Sequence, residues 1–331
     1  MKIVAGIVGL GVGIKHFDAI NSFKDSKVKL VCDLNKKKLI RFKAKFPFIR
    51  TTANFQELID DPEINLISIA SYDHFHCDQL IKAIKKNKNI IIEKPLCLNQ
   101  IELQKIIKEL KKKKNLGFVS NFVLRREPIF IFLKKIFNKK NFNFAELDYI
   151  WGRPHKLKDW RTNNKDYNIV LGAGVHIIDI VNWITGDLPY EVTGIGQICN
   201  RKKYNKLKYT NCSFFLNYKK GYFIKISINA TSPHPHFHNI KFFSESLTIL
   251  NEISGIKKIK FRGKKTLIER IDKIYPDKKM RKKQIQNFLM NLKNKKNNLI
   301  NFKETINCMS IAFAANKAIT TNKKVKIKYF N

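Results

Sequence analysis

The apolar run Ile3 to Val8 feeds directly into Gly9-Leu10-Gly11-Val12-Gly13 near the start of the chain. A strand that enters a glycine turn and leaves as a helix restricts what the following hundred residues can become. Gly9 allows the tight turn, and Gly11 lets the backbone come close to a pyrophosphate. The first amides of the next helix then offer free N–H donors and the positive end of a dipole. The usual spacing is G-x-G-x-x-G or A. Here the third glycine comes one residue early, at Gly13, and Ile14 takes the later position. Val28 to Cys32 predicts a second strand ending at Asp33. An acidic residue at that point accepts the two ribose hydroxyls of a dinucleotide and repels a 2′-phosphate, so NAD is favoured over NADP. Lys36, Lys37 and Lys38 lie close enough to weaken that preference.

The pattern continues as short apolar strands alternating with amphipathic helices. Further strands are expected at Asn65 to Ala70 and Lys88 to Ile92. Helices are expected at His16 to Phe23, after Asn54-Phe55-Gln56-Glu57, around Cys77 to Lys85, and after Asn99-Gln100-Ile101-Glu102. Strand–helix alternation implies right-handed crossovers and a doubly wound parallel sheet of Rossmann type. From about residue 121 the texture changes. Phe144–Trp151, Glu191–Ile198, Thr210–Tyr218, Tyr222–Ala230, Asn239–Phe243, Leu247–Asn251 and Ile256–Phe261 read as successive strands with short connections. A helix from Gly174 to Thr185, ended by Gly186, precedes most of them. Helices around Arg281–Leu292 and Glu304–Thr320 close the chain. The expected fold class is therefore α/β. A dinucleotide-binding Rossmann domain over residues 1–120 precedes an α+β domain with a largely antiparallel open sheet over residues 121–331.

At 331 residues two domains are the default, and a hydrophobic fraction of 44% supports packed cores. The formal charge of +39, from 65 Lys and Arg against 26 Asp and Glu, raises the question of nucleic acid. Only ten of those cations are arginine, the residue best suited to bidentate phosphate and base contacts, and the lysines are spread along the whole chain. A general attraction for anionic substrates is expected, without a dedicated nucleic-acid site. The six cysteines form no C-x-x-C pair, which argues against a zinc module or disulfide scaffold and suits a reducing cytoplasm. No apolar run reaches the roughly 18 residues a membrane span needs.

Two segments carry the chemistry. Glu93-Lys94-Pro95 follows the apolar run Asn89-Ile90-Ile91-Ile92 and places a lysine at a strand end, where a parallel sheet binds its ligands. Ile69-Ala70-Ser71-Tyr72-Asp73-His74-Phe75-His76 leaves another strand at the same edge, so Ala70, Ser71, Tyr72 and His76 are candidate cofactor contacts. Glycine turn and lysine together read as a nicotinamide-dependent oxidoreductase. Tyr149, Arg153, His155, Lys156, Trp160 and Arg161 mix cations and aromatics. They suit an anionic substrate, because guanidinium forks match carboxylate or phosphate; a solvated charged loop has the same composition. Pro233-His234-Pro235-His236-Phe237-His238 alternates histidines, but no Cys or Glu cluster supports a metal, and a structural or site-rim role is expected.

These residues resemble the Gfo/Idh/MocA family of oxidoreductases, the glucose–fructose oxidoreductase and inositol dehydrogenase group. The matching pieces are Gly9-Leu10-Gly11, Asp33, Ile69-Ala70 through His76, Glu93-Lys94-Pro95-Leu96, Trp151-Gly152-Arg153, Asp159-Trp160-Arg161 and Gly172 through Asp179. The resemblance runs nearly the whole chain, ending with Phe288 and Lys324-Val325-Lys326-Ile327. It implies an NAD-dependent enzyme acting on a secondary alcohol of a sugar, inositol or sugar nucleotide. Lys94 would lie beside the nicotinamide and touch the substrate hydroxyl, and His176 would be the general base. Gly9, Leu10, Gly11, Gly13, Ile14, Asp33, Ala70, Ser71, Tyr72, His76, Glu93 and Lys94 would hold the cofactor. Lys94, Arg153, Trp160, Arg161 and His176 would bind the substrate. Pro95 would follow a cis bond, and the second domain's open sheet would join subunits into a homodimer or homotetramer. One departure stands out. Many dehydrogenases of the family carry an aspartate four residues before the histidine, where this chain has Gly172; Asp179 occupies a position that is usually structural. A non-catalytic dinucleotide- or sugar-binding protein of the same fold is the alternative.

Overall fold

The predicted first strand is β1 (Ile3–Val8), buried along its whole length. In the computed structural model, which describes residues 2–113, 115–136, 144–273, 275–277, 279–296 and 300–330, it lies inside a six-stranded parallel sheet. The chain continues through α1 (Gly13–Asn21), β2 (Ser26–Cys32), α2 (Lys36–Lys45), β3 (Arg50–Thr52), α3 (Phe55–Asp60), β4 (Leu66–Ile69), α4 (His76–Lys85), β5 (Asn89–Ile92), α5 (Gln100–Leu110) and β6 (Phe118–Ser120). The sheet order is β3-β2-β1-β4-β5-β6. The order reverses between β1 and β4, and that reversal opens the crevice where such sheets take a ligand. Asparagines start three of the helices: Asn35, Asn54 and Asn99 accept from Lys38 N, Gln56 N and Glu102 N respectively.

Two local expectations need correction. The first helix starts at Gly13 rather than His16, because the glycine turn closes within Val12. α2 was not foreseen: its charge run Lys36–Lys38 hides a helix whose Leu39 and Phe42 are buried, with Phe42 in edge contact with Phe17 at 5.1 Å.

The second sheet begins after α6 (Pro128–Ile136). Its strands are β7 (Phe144–Ile150), then, after α7 (Val175–Thr185), β8 (Glu191–Gln197), β9 (Asn211–Asn217), β10 (Phe223–Asn229), β11 (Phe237–Phe243), β12 (Thr248–Glu252), β13 (Gly255–Arg262) and β14 (Lys265–Arg270). The chain ends with α8 (Met280–Lys293), α9 (Phe302–Thr321) and β15 (Val325–Lys326). The order is β14-β13-β12-β11-β7-β10-β9-β8-β15. Its pairs are antiparallel except β7 with β10, so the largely antiparallel expectation holds with one parallel seam. Burial alternates along β7, β9 and β10: one face is core and the other half-exposed. Ile319 of α9 packs on the core face at Gly194 and Gly196, and the turn before α7 meets Ile228 at Gly174. On the half-exposed face Phe144, Phe215, Phe223 and Phe243 form a chain of ring contacts between 5.0 and 5.9 Å.

Contacts divide the chain into Met1–Val123 with Lys278–Thr305, and Leu124–Asp277 with Ile306–Asn331. Helix α8, far along the sequence, thus belongs with the first sheet. It lies on α1 through Lys293 with Asp25 and Gln286 with Ser22. Among the described residues no helix is long and apolar enough to cross a membrane.

The second unit holds a buried ion pair. Arg125 donates through Nε to Asp179 Oδ2 at 2.9 Å and through Nη2 to Oδ1 at 2.7 Å, with both side chains at most 2% exposed. The structural expectation for Asp179 rests on this fork. Asp179→Ala leaves a buried guanidinium without its counter-ion and is expected to lower stability by about 3–5 kcal/mol in urea unfolding. A smaller loss than Ser213→Ala on the half-exposed face would contradict the assignment.

Candidate active site

The first unit gathers its sequence-predicted residues at the carboxyl ends of neighbouring strands. Gly9 follows β1 with φ of 93°, and a Cβ there would stand 2.3 Å from the Ala70 carbonyl oxygen. Only glycine permits both the conformation and the approach. A Cβ on Gly11 would meet nothing within 4 Å among the described residues, leaving the backbone open on that side. Gly13 would place a Cβ 3.3 Å from Ala70 Cβ and Ile7 Cγ2, so the early glycine performs the close helix–strand packing usually left to the third one. Val12 caps α1 without a side-chain hydrogen bond, and no acidic residue lies in the first turn. Ile14, in that turn, is 41% exposed.

Asp33 ends β2 as expected but is already engaged. Its Oδ2 accepts from Leu10 N at 2.6 Å, its Oδ1 accepts from Asn35 N at 2.8 Å, and Lys38 Nζ lies 3.7 Å away. The carboxylate therefore holds the glycine turn in shape while keeping lone pairs for further donors. After β4, Ser71 Oγ donates to Gln79, Tyr72 is exposed and stacks on His74, and His76 is fully buried. His76 bonds through Nδ1 to the Pro95 carbonyl oxygen at 2.7 Å and lies 3.3 Å through Nε2 from that of Ser71. It thereby ties the β4 loop to the segment carrying Lys94. Lys94–Pro95 is a cis peptide bond.

Glu93 turns inward. Its Oε1 lies 3.0 Å from His16 Nε2, accepts from Asn121 Nδ2 at 2.5 Å, and lies 3.6 Å from Arg281 Nε of α8. On the far side of the ring, His16 Nδ1 lies 2.8 Å from Ser68 Oγ. Burial pushes the Glu93 carboxyl up, but the His16 bond, the Arg281 charge and the Asn121 bond together outweigh it and hold the group ionised, well below the usual glutamate range. A serine–histidine–glutamate line of this kind resembles a hydrolase triad. Ser68 and His16 are both 0% exposed, which removes that option.

In the second unit Tyr149, on β7, is the hub. Its ring lies parallel to that of His176 (6° between planes, centroids 6.3 Å apart) and meets His236 at 5.2 Å and His238 at 4.7 Å edge-on. Gly152, with φ of 60°, lets the backbone after β7 run against the Pro233–His236 segment; a Cβ there would be 2.1 Å from the His234 carbonyl oxygen. His236 Nδ1 reaches the Trp151 carbonyl oxygen at 3.2 Å. Arg161 is paired with Asp159 and lies over the Trp160 ring at 4.3 Å. Burial raises the Tyr149 hydroxyl far above its ordinary value, against the nearby charges of Arg153 and Arg161.

The sequence matches the oxidoreductase family model of an NAD-binding Rossmann fold over residues 3–121, and the model of its C-terminal alpha/beta domain over residues 145–327. The chain belongs to the Gfo/Idh/MocA oxidoreductase family. Among this family's members, myo-inositol 2-dehydrogenase of Thermotoga maritima is 27% identical over 101 residues, 30% of each chain. Levoglucosan dehydrogenase of Pseudarthrobacter phenanthrenivorans is 34% identical over 68 residues, 20% of this chain and 17% of that one. These alignments span less than a third of the curated relatives. The fold is shared much more widely. Myo-inositol 2-dehydrogenase from Lactobacillus plantarum superposes with a TM-score of 0.83 at 20% identity, covering 99% of this chain and 100% of that one. A levoglucosan dehydrogenase in complex with NADH and levoglucosan gives 0.84 at 16% identity, covering 99% and 100%.

The family's NAD fits the residues present. The Gly9 turn, the open side of Gly11, the uncapped start of α1 and the Asp33 carboxylate are what a pyrophosphate and an adenosine ribose require. Sequence reasoning missed His16, Asn121 and Arg281 around Glu93. The helical spacing of His16 from the glycine turn is its only signal, and the other two become visible only in three dimensions. It placed His234–His238 at the rim without linking them to His176, since that link passes through Tyr149.

Burial, reinforced by His236, pushes His238 well below its ordinary pKa, so the folded protein keeps it neutral. An unfolded histidine protonates near pH 6.5. Stability is therefore expected to fall as pH drops through that value, because the unfolded chain takes up a proton that folded His238 refuses. Urea midpoints measured from pH 7.5 to 5 should fall less steeply in His238→Asn than in the parent. Equal slopes would count against it.

Proposed function

We propose that this protein oxidises a secondary alcohol of a cyclic polyol or sugar, or runs the reverse reduction, with NAD as the partner. The observation that carries this reading is Lys94. It leaves the carboxyl end of β5, held between an anchored Glu93 and a Pro95 carbonyl bonded to His76, two strands from the glycine turn. A bound NAD would supply the acceptor for the hydride of the alcohol carbon. The residues of the chain supply the rest. Gly9, Leu10, Gly11, Gly13, Ile14 and Asp33 bind the dinucleotide, and Ala70, Ser71, Tyr72 and His76 line its path. The Lys94 ammonium donates a hydrogen bond to the alcohol oxygen and stabilises negative charge developing there. His176 accepts the hydroxyl proton. The names of the relatives support the substrate class, since they include inositol and levoglucosan dehydrogenases.

Arg153, Trp160 and Arg161 form the remainder of the substrate site. Burial, then the charges of Arg153 and Arg161, lower the Lys156 pKa, so these cations are gathered rather than dispersed. Their grouping favours a derivative bearing a carboxylate or phosphate over a neutral polyol. The aromatic chain Phe144, Phe215, Phe223 and Phe243 supports self-association through the half-exposed sheet face. All six cysteines are free thiols, which suits a cytoplasmic enzyme.

Purified protein should form NADH from inositols, levoglucosan or sugar acids, and Lys94→Ala should lower kcat/KM by about 10²-fold or more. Tight NADH binding without turnover across the panel would leave a binding protein and refute the enzyme. Independently, Phe223→Glu is expected to shift the sedimentation coefficient towards the monomer; an unchanged value would remove this face from the interface.

A further inference from the structure

Three elements of the first unit meet at one edge of its sheet, and one imidazole joins them. His16 is the fourth residue of α1, the helix that starts directly after the glycine turn. Ser68 sits on β4, one residue from its carboxyl end, and Glu93 directly follows β5. His16 Nδ1 lies 2.8 Å from Ser68 Oγ, and Nε2 lies 3.0 Å from Glu93 Oε1. An ionised carboxylate only accepts, so Nε2 carries the proton of the second bond; the serine hydroxyl can donate or accept at Nδ1. Both ring nitrogens are engaged, and the whole residue is buried.

Asn121 and Arg281 reach the same Glu93 oxygen, but from beyond β6 and from α8. Of these three partners, His16 is the one on the helix proposed to receive the pyrophosphate. The link is stiff at both ends. Gly13, three residues before His16, is close-packed, since a Cβ there would stand 3.3 Å from Ala70 Cβ and Ile7 Cγ2. Glu93 N donates to the Ile69 carbonyl oxygen at 2.9 Å, so the carboxylate is borne by backbone still in register with β4. The next residue is Lys94, half-buried. Hydride transfer needs dinucleotide and alcohol in register, with reacting atoms about 3–3.5 Å apart, and a misplacement of about 1 Å can cost about a hundredfold.

We propose that His16 is a positioning residue that couples the pyrophosphate end of α1 to Lys94 through Glu93, so that the seated dinucleotide and the alcohol-binding ammonium share one frame. The inference rests on the role given to Lys94 above. His16 takes no proton from the substrate, because its ring is buried and both nitrogens are occupied.

Asn and Gln separate the two bonds. An Asn amide reaches about as far as Nδ1 and abandons Glu93, whereas a Gln amide nitrogen falls near the place of Nε2 and still donates to it. His16→Asn is expected to lower kcat/KM on the best polyol or sugar substrate about tenfold, and His16→Gln to restore most of it. In a Lys94→Ala background, His16→Asn should change kcat/KM by less than about twofold, because the group it positions is gone. An equal fall in both backgrounds, or no fall in either, overturns the proposal. A second measurement needs no turnover. Trace acetylation of the protein with acetic anhydride, read by peptide mass spectrometry, gives the reactivity of Lys94 relative to the exposed Lys219. His16→Asn should raise that ratio about twofold or more as the lysine is released, and an unchanged ratio overturns the coupling. If the parent oxidises no alcohol, the enzymatic reading falls while the acetylation ratio still decides whether His16 holds Lys94.

Discussion

A buried carboxylate organises the first unit. Glu93 lies where the ends of β4, β5 and β6 and the flanks of α1 and α8 converge, and each contributes a group: Ser68 through His16, Glu93 itself, Asn121, His16 and Arg281. Burial alone would neutralise it, since an isolated buried charge costs several kcal/mol. The His16 bond, the Arg281 guanidinium and the Asn121 bond reverse that outcome, and the ionised form persists. The backbone of the next residue, Lys94, is thereby fixed from the amino side, and the His76 bond to the Pro95 carbonyl fixes it from the carboxyl side. A flexible lysine side chain has considerable rotamer entropy. Rigidity in the backbone that bears it is the means left to the protein for aiming the ammonium.

The second unit solves the corresponding problem with rings instead of charges. In the role proposed for it, His176 has to exchange a proton, and a strong ion pair would hold it in one protonation state. Parallel stacking on Tyr149 restricts the ring plane. In a buried charged pair of this unit, Arg125 reaches Asp179, which lies on the same helix as His176 three residues further on. It fixes the helix in place. Charge positions the scaffold, and aromatic contact positions the histidine proposed to react.

Much of this was legible in the sequence. The strand–glycine turn–helix start, the acid ending β2 and the lysine ending β5 all depend on local patterns, and local patterns fold where they are read. β7, β9, β10, β11 and β12 were legible because apolar, buried positions alternate along them. β14 was not: Leu267 and Ile268 lie in a charged, solvent-facing edge hairpin that lacks a core side. α8 joins the first unit although the stretch Leu124–Asp277 of the other unit comes between them; no composition shift announces such a return. Gly172 was read as a lost side chain. The missing volume was in fact moved five residues back, to Tyr167, and only the coordinates join the two.

Asp33 carries a similar lesson for cofactor choice. Read as a lone carboxylate, it should repel a 2′-phosphate strongly. In the fold, both its oxygens already accept backbone amides, and the Lys38 ammonium stands 3.7 Å away. Two amide donors and a cation draw off much of the field that a phosphate would meet. Leu34 and Lys36 beside it are exposed. Discrimination between NAD and NADP would then rest on the remaining lone pairs of Asp33 and their fit to two hydroxyls. That makes the preference a matter of hydrogen-bond count more than of charge, and so less sensitive to ionic strength than a purely electrostatic filter.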